Sequence, residues 1–140
     1  MNDRPDLAVL SSTDGVHVGQ EELSVQDVRR IVGPEMLVGL STHTIEQARD
    51  AVLAGASYIG CGPTFPSGTK HFDSFPGLTF LREVAAEISL PAFAIGGITP
   101  ENLREVLKSG MKRVAVGGAV TASKSPTAVL QFLASNLPAN

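Results

Sequence analysis

The chain has 140 residues, of which 43% are hydrophobic and 18% charged, and its formal net charge is −3. This composition is typical of one globular domain over residues 1–140 and excludes a disordered chain, while the charge gives no basic surface for nucleic acid or an anionic membrane. The single cysteine, Cys61, excludes an intrachain disulfide framework and a cysteine zinc cluster, and the lack of an apolar leader or membrane-length segment predicts a cytoplasmic protein.

Short apolar segments alternate with segments of helical periodicity, which predicts repeated βα units around a parallel sheet. Ser24 and Thr44 are the predicted N-caps of two helices, Pro100 opens another, and Gly33 and Gly110 mark helix ends. The predicted strands, in chain order, cover residues 15–18, 36–40, 58–61, 92–95 and 114–116. The predicted helices cover residues 6–11, 25–32, 45–53, 78–87, 100–109 and 127–135.

Five strands of this kind form either a small open sheet or part of an eight-stranded barrel. In both architectures the C-terminal ends of the strands and the loops after them form the ligand-binding face. Small or polar residues follow every predicted strand. Residues 62–76 show no periodicity, and a loop of this length in a compact α/β unit indicates a functional or disordered segment.

Two glycine pairs follow the last two predicted strands, Gly96 with Gly97 and Gly117 with Gly118. Glycine lets backbone N–H groups approach an anion without a side chain in the way. In parallel barrels a phosphate commonly binds at the loops after the last two strands. The spacing therefore favours a phosphate site over two simple tight turns.

The long loop contains a short polar segment at residues 67–70. Ser67 and Thr69 supply hydroxyl donors, and Lys70 supplies a cation that can neutralise a phosphate. The segment does not have the spacing of a nucleotide-binding P-loop, so that class of site is excluded.

Acidic and histidine side chains near the strand ends are a further set of candidates. Asp3 and Glu22 are hard oxygen ligands of the kind that Mg²⁺ prefers, although solvated surface carboxylates are the alternative interpretation. His17 lies within a strand, where a hydrogen-bonded structural histidine is favoured over a general base. His43 and His71 lie in loops of the ligand-binding face.

The order of these motifs resembles that of thiamine phosphate synthases. The resemblance rests on residues 2–4, 14–20, 39–44, 58–70 and 94–99 and on Asn102, and it extends to about Val120. It implies a parallel α/β fold of the (β/α)8 barrel type, with about five of the eight βα units present. The family joins hydroxymethylpyrimidine diphosphate to thiazole phosphate, with Mg²⁺, and so makes thiamine phosphate and pyrophosphate.

The resemblance also implies roles for individual residues. Asn2 contacts the pyrimidine substrate, Asp3 and Glu22 hold Mg²⁺, and Ser41 and Lys70, the implied catalytic residues, contact the diphosphate. The thiazole phosphate is expected at the following residues: Ser67, Thr69, Gly97, Gly117 and Gly118. The expected partners are these small phosphate substrates, with no nucleic acid and no membrane.

The sequence departs from the family pattern at three points. Glu22 stands where the family usually has Asp, Ser67 stands where it usually has Thr, and the Gln-x-Arg-Glu-Lys segment of an early strand is absent. A barrel does not close without its first strands, so we expect low activity from this chain alone, and a homo-oligomer or an N-terminal segment supplied in trans. The alternatives are a thiazole tautomerase, which is expected to have a histidine where Pro63 stands, and a non-catalytic phosphate-binding remnant.

Overall fold

The computed structural model describes residues 1–66 and 75–138. Seven helices and five strands occur in this part of the chain. They alternate as the sequence predicts, except that two helices follow the last strand. The helices are α1 (Pro5–Leu10), α2 (Val25–Val32), α3 (Ile45–Leu53), α4 (Gly77–Glu87), α5 (Leu103–Lys108), α6 (Gly118–Thr121) and α7 (Pro126–Asn136). The strands are β1 (Gly15–Val18), β2 (Leu37–Thr42), β3 (Tyr58–Cys61), β4 (Ala92–Ile95) and β5 (Val114–Ala115).

The five strands form one parallel sheet in the order β1-β2-β3-β4-β5. The parallel α/β fold expected of a partial barrel is therefore confirmed. At the β1 edge the chain's first residues add a parallel bridge, because His17 donates its N–H to the Met1 carbonyl at 2.9 Å and Asp3 donates to the His17 carbonyl at 2.8 Å. Asp3 consequently lies beside the C-terminal end of β1.

The two faces of the sheet differ in chemistry. Side chains alternate between faces along a strand, and the buried members of β1 to β4 pack in one hydrophobic cluster with the helices. They include Val16, Val18, Val38, Ile59 and Ala94. The opposite, inner face carries mainly glycine, polar and aromatic residues, together with the exposed aliphatic side chains of Leu37 and Ile95. The glycine, polar and aromatic members include the following residues: His17, Gly39, Ser41, Tyr58, Gly60 and Phe93. Polar chemistry is thus available on the face that a barrel turns inward.

Two predicted helix starts are confirmed by side-chain caps. The Ser24 Oγ atom accepts a hydrogen bond from the Asp27 N–H at 3.1 Å, and Thr44 Oγ1 accepts one from the Gln47 N–H at 3.3 Å. Each cap satisfies one of the free N–H groups of a helix's first turn. The described residues contain no helix that is both long enough and apolar enough to cross a membrane.

The predicted helix start at Pro100 is wrong, because α5 begins at Leu103. The side chain of Asn102 accepts a hydrogen bond from the Thr99 N–H at 2.8 Å and donates one to the Gly97 carbonyl at 2.8 Å. These bonds hold residues 99–102 in a turn that delays the helix. The four-residue helix α6 was not predicted, since two glycines precede its only apolar residues.

Candidate active site

One cavity of about 1170 Å³ lies at the C-terminal ends of the strands. Its lining includes residues that follow β1, β3, β4 and β5. It also includes Ser41, which lies at the end of β2. Five of the predicted site residues contribute to it: Glu22, Ser41, Gly97, Gly117 and Gly118. The structure therefore brings together side chains and glycines that are up to 96 positions apart in the sequence.

The loop after β4 is fixed tightly against the loop after β3. Gly96 and Gly97 both adopt positive φ angles, +95° and +64°, which glycine adopts without strain. Thr64 donates its N–H to the Ile95 carbonyl at 2.9 Å, and Phe65 donates to the Gly96 carbonyl at 3.0 Å. The two loops thus form one continuous wall of the cavity.

Backbone donors are free where phosphate binding is predicted. Within residues 1–66 and 75–138, no hydrogen bond uses the N–H group of Gly97 or of Gly117. Both residues line the cavity, and a Cβ atom on Gly117 would meet no atom within 4 Å. Unpaired N–H groups beside open space are what an anion needs from a backbone cradle.

Ser41 lies at the end of β2 beside two aromatic side chains of the inner face. Its Oγ atom lies 2.9 Å from Nε2 of His17, and Nδ1 of the same ring lies 3.2 Å from the hydroxyl of Tyr58. Gln20 donates a side-chain hydrogen bond to the Ser41 carbonyl at 2.6 Å. Ser41 is therefore held by its backbone and by its hydroxyl.

Burial favours the uncharged form of both rings. It lowers the pKa of His17, against the opposing effect of the Asp3 carboxylate. It also raises the pKa of the Tyr58 hydroxyl. A neutral imidazole and a protonated phenol are the forms that these shifts favour at neutral pH.

The two predicted Mg²⁺ ligands each follow a segment at the β1 edge of the sheet. Asp3 follows the segment that pairs with β1, and its carboxylate accepts a hydrogen bond from the Asn2 side chain at 2.6 Å. Glu22 follows β1, and its carboxylate lies against the backbone of Gly19 at the cavity wall. Asn2 and Asp3 are exposed and are not part of the cavity lining.

The donor set suits Mg²⁺ better than a softer metal. In the part of the chain that the structure describes, no three His, Cys, Asp or Glu side chains form a metal-binding group. Mg²⁺ commonly uses one or two carboxylates and completes its shell with waters and substrate phosphates. Asp3 and Glu22 are carboxylates of this kind, and their role as Mg²⁺ ligands stays a prediction.

Three predicted substrate contacts, Ser67, Thr69 and Lys70, lie outside the described residues. Their roles stay predictions.

The sequence did not indicate the contact between His17 and Ser41, nor any role for Tyr58. The alternation within residues 15–18 and 58–61 was the available signal, because it places His17 and Tyr58 on the face that carries Ser41.

Comparison with known proteins agrees with the site. A family model described as thiamine monophosphate synthase matches residues 1–120. The chain belongs to the thiamine monophosphate synthase family. This confirms the resemblance that the sequence motifs indicate.

Two relatives from this family show how much of a member the chain represents. The chain is 59% identical to the thiamine-phosphate synthase of Rhodopirellula baltica over 125 residues, which cover 86% of this chain and 33% of that protein. It is 42% identical to the thiamine-phosphate synthase of Desulfitobacterium hafniense over 134 residues, or 95% of this chain and 65% of that protein. The chain thus spans one third of the first relative and about two thirds of the second.

A solved structure supports the same family assignment and the barrel-type fold. Thiamine phosphate pyrophosphorylase from Pyrococcus furiosus superposes with a TM-score of 0.84 at 34% sequence identity. The match covers 96% of this chain and 64% of the Pyrococcus chain. The five βα units described above therefore correspond to a large part of a thiamine monophosphate synthase family member.

Proposed function

We propose that this chain carries the thiazole-phosphate site and part of the diphosphate site of a thiamine-phosphate synthase. This transferase joins hydroxymethylpyrimidine diphosphate to thiazole phosphate and releases pyrophosphate. One observation carries the proposal: Glu22, Ser41 and both glycine pairs line a single cavity at the strand ends. The cytoplasmic location, and a homo-oligomer or an N-terminal segment supplied in trans, stay predictions from the sequence.

The thiazole phosphate would bind at the glycine pairs. The N–H groups of Gly97, Gly117 and Gly118 would donate to its oxygens, since a backbone donor next to glycine can approach an anion closely. Ser67 and Thr69 would add hydroxyl donors from the loop after β3. Support comes from the N–H groups of Gly97 and Gly117 at the cavity wall, which have no hydrogen-bond partner among the described residues.

The pyrimidine diphosphate would bind nearer to β1 and β2. Ser41 would donate a hydrogen bond to a diphosphate oxygen, Lys70 would neutralise part of its charge, and Asn2 would contact the pyrimidine. Support comes from the position of Ser41 on the cavity wall, with its hydroxyl held by His17.

Asp3 and Glu22 would hold Mg²⁺ between the protein and the diphosphate. When bound, Mg²⁺ supplies positive charge that offsets the negative charge of the departing pyrophosphate. Two carboxylates would suffice because substrate phosphates and waters complete the coordination. The longer side chain of Glu22 retains the oxygen ligands of the Asp that is usual in the family.

The reaction needs charge stabilisation and positioning more than proton transfer. The bond between the pyrimidine methylene carbon and the diphosphate oxygen breaks, and its electron pair leaves with pyrophosphate. The thiazole nitrogen then donates its lone pair to that carbon and forms the new C–N bond. Lys70 and Ser41 would act on the leaving group, and the glycine pairs would hold the thiazole in line.

The test is to assay the purified chain for thiamine phosphate and pyrophosphate with both substrates and Mg²⁺. A second preparation carries an N-terminal extension taken from the part of the Desulfitobacterium relative that this chain does not cover. We expect much faster turnover from the extended chain, loss of turnover on chelation of Mg²⁺, and at least a tenfold loss for Lys70→Ala and for Ser41→Ala. Lys108→Ala is the matched control, because Lys108 is exposed in the last turn of α5.

Two results would contradict the proposal. Thiazole phosphate binding without thiamine phosphate formation in either preparation would identify a non-catalytic phosphate-binding protein. Isomerisation of a thiazole substrate without coupling would identify a tautomerase. Loss of activity in Lys108→Ala as large as in Lys70→Ala would show that the variants act through folding rather than through the site.

A further inference from the structure

Three side chains of the inner face form a continuous hydrogen-bonded row that ends at the cavity. Tyr58 OH lies 3.2 Å from Nδ1 of His17, and Nε2 of His17 lies 2.9 Å from Oγ of Ser41. These are the only hydrogen bonds of the Tyr58 hydroxyl and of the Ser41 hydroxyl within the described residues. Of the three side chains, Ser41 is the one that belongs to the cavity wall.

The backbone beneath the row fixes where the His17 ring lies. In the register of the sheet, Gly39 pairs with His17 on one side and with Tyr58 on the other. A Cβ atom on Gly39 would collide with both rings, and one on Gly60 would lie 3.6 Å from the His17 ring. The rings of His17 and Tyr58 approach with centroids 5.5 Å apart. Gly39 therefore provides the space in which the imidazole reaches both hydroxyl groups, whereas a Cβ atom on Gly60 would make an ordinary contact with the ring.

A neutral imidazole has one N–H donor and one acceptor nitrogen, and the hydrogen bond at one nitrogen decides the state of the other. A phenol is a stronger acid than an aliphatic alcohol, so Tyr58 is the better donor of the two hydroxyls. With Tyr58 donating to Nδ1, the ring carries its proton on Nε2 and donates to Ser41. The Ser41 proton is then free to point elsewhere.

Each arrangement leaves one hydroxyl proton without an acceptor among the described residues, and the two differ in which hydroxyl that is. If Ser41 donated to Nε2, the ring would donate from Nδ1 to Tyr58, and the Tyr58 proton would have no acceptor among the described residues. The proposed arrangement instead leaves the Ser41 proton at the cavity wall, where a ligand or solvent can accept it, and so avoids an unsatisfied Tyr58 donor. The opposite arrangement would also present only an oxygen lone pair of Ser41 to an anionic ligand, which is repulsive.

We propose that His17 is a positioning residue: Tyr58 holds it as the Nε2–H tautomer, and His17 in turn keeps Ser41 as a hydrogen-bond donor toward a phosphate oxygen in the cavity. The expected effect on turnover rests on the proposed function. The tautomer and its effect on anion binding are independent of the proposed function.

The tautomer is measured directly in the protein labelled with ¹⁵N-histidine. Long-range ¹H–¹⁵N spectra distinguish a protonated ring nitrogen from an unprotonated one, and we expect protonated Nε2 and unprotonated Nδ1 for His17 at neutral pH. Tyr58→Phe keeps the ring packing and removes the hydroxyl, so we expect it to shift the signals toward a mixture of tautomers. A wild-type Nδ1–H tautomer, or no change in Tyr58→Phe, would overturn the proposal.

The effect on Ser41 is measured by calorimetry with inorganic pyrophosphate as the probe. We expect Tyr58→Phe to weaken pyrophosphate binding about threefold to tenfold. We expect His17→Asn to weaken it more than His17→Gln, because the Gln amide can place its N–H where Nε2 stands. In the Ser41→Ala background, Tyr58→Phe should have no further effect, since the coupling runs through the Ser41 hydroxyl.

A purely structural role for the row gives a different result. In that case Tyr58→Phe weakens pyrophosphate binding equally in the presence and absence of the Ser41 hydroxyl. His17→Gln then binds pyrophosphate no more tightly than His17→Asn. Either outcome overturns the positioning role. Failure of the wild-type chain to bind pyrophosphate would also overturn the role toward an anion. Formation of no thiamine phosphate, with the tautomer and the coupling as expected, would contradict the proposed function alone.

Discussion

Gly97 and Pro66 approach so closely that a Cβ atom on Gly97 would lie 2.6 Å from the Pro66 carbonyl oxygen. Gly97 also has a φ angle of +64°, which side-chain-bearing residues rarely adopt. The loop after β4 is thereby pressed against the loop after β3, immediately before the residues predicted to contact the substrates. Packing and conformation both require glycine at this position.

Gly97→Ala should lower both stability and phosphate affinity. The added methyl group must displace the Pro66 carbonyl, and the alanine must adopt the left-handed backbone conformation. We therefore expect a loss of about 2 to 4 kcal/mol in the free energy of unfolding. Urea unfolding measures the stability, and calorimetry with inorganic phosphate measures the affinity.

Gly55→Ala separates the two causes. Gly55 has a similar φ angle of +82°, but a Cβ atom there would meet no atom within 4 Å. We expect it to cost only about 1 kcal/mol, the strain of the conformation alone. Equal losses at both positions would show that the contact with Pro66 is unimportant.

Gly117→Ala tests the anion site without the loss of stability expected for Gly97→Ala. Gly117 has a negative φ angle of −118°, and its Cβ position is open. We expect the free energy of unfolding to change by less than about 0.5 kcal/mol, while phosphate binding weakens by about tenfold because the methyl group occupies space beside the N–H donor. Unchanged affinity for inorganic phosphate would show that the glycine only forms a turn.

The sequence predicted β1, β3 and β4 at their observed bounds because each is a short apolar or alternating segment bounded by turn residues. Strand β2 continues two residues beyond its predicted end, through Ser41 and Thr42. Their polar side chains suggested a loop. In the structure Thr42 is fully buried, pairs with Cys61 and donates its hydroxyl to the Gly60 carbonyl at 3.0 Å. Only the neighbouring strand provides that acceptor.

The candidate site was predictable in part for the same reason. The glycine pairs and the serine at strand ends can be recognised in the sequence, and the parallel fold brings them to the C-terminal edge of the sheet. The row from Tyr58 through His17 to Ser41 depends on the register between β1, β2 and β3, which pairs Gly39 with both rings. No local pattern specifies that register, so the role of Tyr58 required the three-dimensional structure.

Arg29 should be a major source of stability outside the site. Its guanidinium donates hydrogen bonds to the Met36 and Pro34 carbonyls and, at 2.8 Å, to Ser57 Oγ. It therefore ties the end of α2 to the start of β2 and to the turn before β3. We expect Arg29→Lys to lower the free energy of unfolding by about 1 to 3 kcal/mol, because an ammonium group cannot reproduce the fork of donors.

Arg30→Lys is the matched control for that experiment. Arg30 is the next residue of α2, and its side chain is 78% exposed beside Asp27. Exposed ion pairs contribute little, so we expect a change of less than about 0.5 kcal/mol in urea unfolding. A loss at Arg30 as large as that at Arg29 would contradict the structural role assigned to the Arg29 guanidinium.

Cys61 should make stability depend on pH in the alkaline range. The thiol is fully buried, and burial raises the pKa of Cys61 from its ordinary value of 9.0 to about 11. The folded protein therefore holds its proton more tightly than the unfolded chain. Stability from this group is fully present below pH 9 and is lost as the pH rises from about 9 to about 11, by up to about 2 to 3 kcal/mol.

The Cys61→Ala variant isolates this effect from other groups that titrate in the same range. We expect the variant to be less stable than the wild type at pH 8 because it loses buried contacts, and the difference in the free energy of unfolding to shrink as the pH approaches 11. The folded wild type should also resist a thiol reagent at pH 8 and react once unfolded in urea. A constant difference between the two proteins from pH 8 to pH 11, or rapid labelling of the folded chain, would contradict the raised pKa of Cys61.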